Sequence, residues 1–176
     1  MLQLLLLRHA KSSWDDAELS DHARPLNARG ERAAATMGRA MREAGLNPDV
    51  VLVSTARRAQ QTLEALEPWD ETPRIDSDDA LYLASPMQLL AALRKLPKTA
   101  RSVLLIGHNP GLQEFALMLH GEGGDRPAGS PIARLSAAYP TAALAEFAVP
   151  GAWGELEAGG AQLLRFLLPR DVARGR

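Results

Sequence analysis

Apolar positions recur along this chain with two different periods. Residues 2–7 are a nearly unbroken apolar run, which is how a strand buried on both faces reads. Residues 50–53, three of them β-branched, and residues 103–106 repeat that pattern. Between the first two runs the spacing becomes helical. Ala33, Ala34, Met37, Ala40, Met41 and Ala44 recur behind Pro25 and Gly30, and Gly45 is placed to stop the helix. The hydroxyls of Ser54 and Thr55 are expected to cap a helix over about 56–66. Ser85-Pro86 opens another, with Leu89, Leu90, Leu93 and Leu96 on one side. A further helix is expected over 112–119. Residues 68–79 read as irregular and acidic, and 121–131 as a flexible surface loop. Residues 142–149 and 161–168 read as two strands joined by a Gly-rich connection, pairing antiparallel at one edge. Strand–helix alternation with a hairpin-like tail predicts an α/β fold. The expectation is a three-layer α/β/α sandwich with a mixed, mainly parallel sheet, formed by residues 1–176 as one domain.

Composition narrows the function. The 176 residues are 46% hydrophobic and 23% charged, with 20 Lys+Arg against 21 Asp+Glu and a net charge of -1. That balance excludes a broad basic surface, so no nucleic-acid and no membrane partner is expected. The chain has no cysteine, which removes a disulfide scaffold, a cysteine-held metal and a thiolate nucleophile. The apolar opening has no basic residue before it and meets Arg8 at once, unlike a secretory signal. A cytoplasmic location is the expectation.

Only four histidines are present, and two share a setting. His9 directly follows the first apolar run and His108 directly follows the third. Arg58 lies at the start of the helix after the second, with Arg57 as its nearest alternative. In open α/β sheets the carboxyl ends of the strands form the ligand crevice. Arg8, His9, Arg57 or Arg58, and His108 are therefore expected at one edge. Guanidinium forks match phosphate oxygens, and helix N-termini add N–H groups and partial positive charge. A histidine in that setting can attack phosphorus and carry it covalently.

These residues carry a resemblance. Leu7-Arg8-His9-Ala10-Lys11-Ser12-Ser13-Trp14 resembles the Arg-His-Gly signature of the histidine phosphatase superfamily, also called phosphoglycerate mutase-like. Ser54-Thr55-Ala56-Arg57-Arg58-Ala59-Gln60-Gln61-Thr62 is similar to its second block, and Gly107-His108-Asn109-Pro110-Gly111 to its third. The opening block and Arg24-Pro25-Leu26 look most like the small SixA-like phosphohistidine phosphatases. The resemblance implies a phosphoglycerate mutase-like fold and a metal-independent phosphatase without a cofactor. His9 would be the nucleophile, Arg8 and Arg58 would hold phosphoryl oxygens, and His108 would be the second imidazole on the phosphate. The family's Arg-Ala pair selects Arg58 over Arg57, and Ser12 falls where a small polar phosphate contact is common. The partner implied is a phosphorylated protein or a small phosphate-containing compound.

The departures bear on the substrate. Ala10 replaces the commoner glycine. Asn109 stands where the acid-phosphatase branch has a proton-donating Asp. Glu71, Asp76, Asp78 and Asp79 are the acids left in the region after the second block, and Asp79 is taken as the possible general acid. General acid catalysis is worth about 10²–10⁴-fold to an ester that leaves as an alkoxide. An imidazole, with a reference pKa of about 6.5, leaves with its own proton near neutral pH. The residues therefore favour phosphohistidine or another activated donor. A phosphoglycerate-type mutase and a non-catalytic phosphoprotein-binding module are the alternatives. A two-histidine metal site is disfavoured, because the arginines repel a cation. Structural roles are expected for His22, His120, Trp14 and Arg24, the last as a brace for the loop or a partner of Asp21.

Overall fold

The structure is a computed structural model, described for residues 1–173. The element order is β1 (Leu2–Arg8), α1 (Ala28–Glu43), β2 (Val50–Ser54), α2 (Arg57–Ala65), β3 (Arg74–Asp78), α3 (Pro86–Arg94), β4 (Ser102–Gly107), α4 (Gly111–His120), α5 (Pro131–Ala137), β5 (Leu144–Val149), β6 (Gln162–Leu167) and α6 (Pro169–Val172). Two 3-10 turns, Asp79–Leu81 and Trp153–Glu155, complete it. The strands form one sheet in the order β3-β2-β4-β1-β5-β6. The pairs among β3, β2, β4 and β1 are parallel, and β5 pairs antiparallel with both β1 and β6. This is the mixed, mainly parallel sheet expected from the sequence.

Period-2 geometry explains the unbroken apolar runs. Leu4 and Leu6 pack with Leu105, Leu89, Leu93, Phe115 and Leu135 on the face covered by α3, α4 and α5. Leu5 and Leu7 pack with Val51, Val53, Ile106, Met37, Met41 and Leu63 on the face covered by α1 and α2. Both faces of β1 are core, so alternation is absent. Truncating one of these leucines to alanine costs about 2–5 kcal/mol, the usual range for a buried site.

Three expectations need correction. Residues 68–79 are not wholly irregular: Arg74–Asp78 is an edge strand, parallel to β2 with Ser54 opposite Asp78. Its five residues include one hydrophobic side chain, Ile75, which is exposed, so its polarity hid it. Ser54 and Thr55 do not cap α2. The N-cap is Ala56, with no side-chain bond to the helix, and both hydroxyls are used elsewhere. The loop after α4 ends one residue early, because Ser130 caps α5, a helix not anticipated.

Candidate active site

Register brings the two histidines together. β1 and β4 are neighbours with Arg8 opposite Gly107, so the residues just beyond each strand, His9 and His108, lie side by side. Their ring centroids are 5.1 Å apart. His9 N–H extends the ladder to the Gly107 carbonyl at 3.1 Å. Two glycines let helices close on this edge. A Cβ on Gly30 would stand 2.1 Å from the Lys11 carbonyl oxygen, and one on Gly111 1.8 Å from that of Ala84.

The hydrogen bonds assign the tautomers. His9 Nδ1 lies 2.7 Å from the Ala10 carbonyl oxygen, and Arg58 Nε–H donates to His9 Nε2 at 3.3 Å. A carbonyl only accepts and a guanidinium only donates. Nδ1 therefore carries the proton, and Nε2 presents a lone pair beside Arg58. His108 follows the same logic. Arg58 Nη2 faces its Nδ1 at 3.3 Å, so Nε2–H donates to Ser54 Oγ at 2.7 Å. Burial, then the Arg58 and Arg8 charges, pushes His9 down to about 4 against the Ala10 bond. Burial, then the neighbouring His9 and Arg58, takes His108 to about 3. Both imidazoles are neutral at physiological pH, as a nucleophile requires.

Arg58, the second residue of α2, is 3% exposed. Its end-on fork is taken by Asp21: Nη1 donates to the Asp21 carbonyl at 2.8 Å and Nη2 to Oδ2 at 3.0 Å. Its side edge, Nε and Nη2, faces the two histidines. Arg8 Nη1 donates to the Tyr139 carbonyl at 2.9 Å, while its buried Nε bonds to none of the described residues. Arg8, His9, Arg58 and His108 thus converge as the sequence predicted. The side edge of Arg58, the Arg8 guanidinium and two neutral imidazoles form a centre suited to a phosphoryl dianion.

The remaining positions are resolved differently. Ser12 Oγ accepts from Arg24 Nη1 at 2.7 Å. Arg24 performs both roles foreseen for it: it braces the loop through Ser12 and the Ser13 carbonyl, and it pairs with Asp21 at 3.1 Å. Exposed Trp14 stacks on it at 3.4 Å. Asp79 accepts from the Thr55 hydroxyl, and His22 Nε2 bonds that hydroxyl at 2.9 Å. No Asp or Glu hydrogen-bonds to His9 or His108 among the described residues. Arg57 is exposed.

Sequence reasoning missed Asp21, as a centre of the site, and Tyr82. Tyr82 hydroxyl donates to Asp21 Oδ2, and its ring meets His108 edge-on at 5.4 Å and His22 at 4.8 Å. The Tyr82 bond, then Arg24 and Arg58, holds the Asp21 carboxyl at about 2. One signal existed: Asp21 lies three residues before Arg24.

Known proteins resemble this chain in sequence and in fold. The family description of the histidine phosphatase superfamily (branch 1) matches residues 4–81. An uncharacterized protein of Mycobacterium tuberculosis strain H37Rv is 35% identical over 164 residues, covering 93% of this chain and all of that one. Among solved structures, one described as a candidate phosphohistidine phosphatase SixA of Nakamurella multipartitia is 30% identical. It superposes with a TM-score of 0.83, covering 96% of each chain. The protein histidine phosphatase SixA complexed with tungstate superposes at 0.77 with 23% identity, covering 97% of this chain and 99% of that one. At that identity the likeness is one of fold. No helix among the described residues is long and apolar enough to cross a membrane.

Proposed function

This chain belongs to the histidine phosphatase superfamily, and we propose that it is a metal-independent phosphatase working through a phosphohistidine on His9. The observation that carries the reading is the single lone pair on His9 Nε2, held beside Arg58 and His108 by the Ala10 carbonyl on the other ring nitrogen.

In the first step the Nε2 lone pair forms an N–P bond while the bond from phosphorus to the leaving group breaks. The leaving group departs with that electron pair. The positive charge gained by the imidazole spreads to Nδ1–H, which the Ala10 carbonyl accepts. The side edge of Arg58 and the Arg8 guanidinium hold the equatorial oxygens and oppose their charge in the transition state. In the second step water attacks phosphorus, the N–P electrons return to Nε2, and the water proton passes to the product phosphate. An arriving dianion raises the His108 pKa, reversing what the surrounding cations do. His108 then donates from Nδ1 to a phosphoryl oxygen.

The substrate follows from the proton supply. With no carboxylate bonded to either imidazole, a leaving group that carries its own proton reacts best. Phosphohistidine on a protein, or an activated small phosphate, fits. Asp79, tied to Thr55 at the margin, is the proposed acid for esters. A mutase would need a capping insertion between α2 and α3, where the chain has only β3 and a 3-10 turn.

The test is His9→Ala, assayed on p-nitrophenyl phosphate and on a phosphohistidine protein. Loss on the order of 10⁴-fold or more on both is expected for removal of a nucleophile. Wild-type turnover in the variant would overturn the reading.

A further inference from the structure

An arginine has five N–H donors arranged along two usable edges, and which edge meets the ligand is decided by what holds the other. Arg58 shows both edges occupied differently. The end-on fork lies against Asp21 alone, through the backbone carbonyl at 2.8 Å and Oδ2 at 3.0 Å. The side edge lies against His9 Nε2 and His108 Nδ1, both at 3.3 Å. Bonds of 3.3 Å to neutral nitrogens are long for N–H donors, whereas those to Asp21 are of ordinary length. The fork toward Asp21 is thus the firm one, and the edge toward the histidines is the one readily given up to another acceptor.

Asp21 does more than accept from Arg58. Oδ2 also accepts from the Tyr82 hydroxyl, and Oδ1 takes Arg24 Nε at 3.2 Å and Nη2 at 3.1 Å. Arg24 in turn holds Ser12 and Ser13 in the loop that leaves His9. One carboxylate therefore joins α2, the loop after β1 and the segment after β3. All three border the histidine pair.

We propose that Asp21 is a positioning residue for phosphoryl transfer. It grips the end-on fork of Arg58, turns the Nε–Nη2 edge onto the phosphoryl group, and keeps Tyr82 packed against His108. The inference rests on the phosphatase reading and adds to it a residue that touches no reacting atom. Without the carboxylate, Arg58 keeps only the Asp21 backbone carbonyl on Nη1, and Nη2 loses the charged partner that fixes which edge meets the substrate.

The experiment is a double-mutant cycle on the full chain. Asp21→Ala is expected to lower kcat/KM for p-nitrophenyl phosphate about 10²-fold, the scale of a lost transition-state donor. It should also raise the inhibition constant of vanadate by a similar factor. Asp21→Asn keeps the shape and one acceptor oxygen, so a loss of about 10-fold is expected, and it serves if the alanine variant fails to fold. In an Arg58→Lys background, which has no fork to orient, either Asp21 change should cost less than about 2-fold. A residue that only stabilised the fold would lower the melting temperature, leave the vanadate constant unchanged, and add in full to the Arg58→Lys loss. Either of those last two results overturns the proposal. If His9→Ala abolishes turnover while the Asp21 variants match wild type, the inference fails and the phosphatase reading stands. If His9→Ala retains turnover, that reading itself has failed.

Discussion

The two halves of the sheet are built from similar apolar runs but do different work. In the parallel half, β3-β2-β4-β1, the carboxyl ends of β1, β2 and β4 deliver His9, Ser54 and His108 to one edge, and Arg58 enters from the helix after β2. In the antiparallel half, β5 and β6 contribute no side chain to that group. They offer support instead. The segment before β5 gives the Tyr139 carbonyl, which takes both Arg8 Nη1 and Asn109 Nδ2 at 2.9 and 3.1 Å. The Tyr139 hydroxyl donates to the Leu6 carbonyl at 2.6 Å, buried beneath the site. The reason lies in connectivity. Parallel strands place successive carboxyl ends on the same side, each followed by a helix N-terminus, so chemistry accumulates there. An antiparallel pair sends alternate ends to opposite sides and can only brace.

Three changes probe that division, from the largest expected effect down. Arg58→Ala in the parallel half should lower kcat about 10²–10³-fold, since it removes donors aimed at developing charge. Steady-state kinetics with p-nitrophenyl phosphate would show it, and an unchanged kcat would break the assignment. The second is a pH effect on stability confined to the same half. His9 and His108 are held at about 4 and about 3, first by burial and then by neighbouring charges. The unfolded chain titrates its histidines near 6.5 and so binds more protons below that pH. Their contribution to stability is full above about 6.5 and declines as pH falls toward 4 and 3. Melting temperature against pH should fall through that window, and His108→Asn should flatten the curve. A rise on acidification would contradict the sign. The smallest effect belongs to the brace. Tyr139→Phe removes the buried hydroxyl bond to the Leu6 carbonyl, which its strand partner still serves, at a cost of about 0.5–1.5 kcal/mol. Chemical denaturation would measure it, and kcat should stay within a few-fold of wild type. A catalytic loss as large as that of Arg58→Ala would dissolve the distinction between the halves.

The same division governs how much could be read from the sequence. The parallel half announced itself, because a strand buried on both faces is a continuous apolar run and the polar residue that ends it stands out. His9 and His108 were legible for that reason, and Arg58 became so through the family's Arg-Ala pair. β3 was not, because an exposed edge strand has little apolar pattern to show. α5 was missed because seven residues hold only Ile132 and Leu135 as buried spacing, although Ser130-Pro131 carries the same opening signal as Ser85-Pro86. Asp21 and Tyr82 were hidden for another reason. Asp21 meets Arg58 and Tyr82 across 37 and 61 residues, and a loop acid has no periodicity to mark its partners. Ser54 and Thr55 were legible as hydroxyls but not as ligands of His108 and Asp79, since helix capping is the commoner use of a Ser-Thr pair at a strand end.

The central claim, that His9 carries the phosphoryl group, has one direct test. The protein would be mixed with a phosphoryl donor, quenched at alkaline pH where phosphohistidine persists, digested, and its peptides weighed. We expect one added phosphoryl group on the peptide holding His9, transient in the wild type and lost in His9→Ala. Rapid turnover with that peptide unmodified at every time point, or with the label on another residue, would contradict the account.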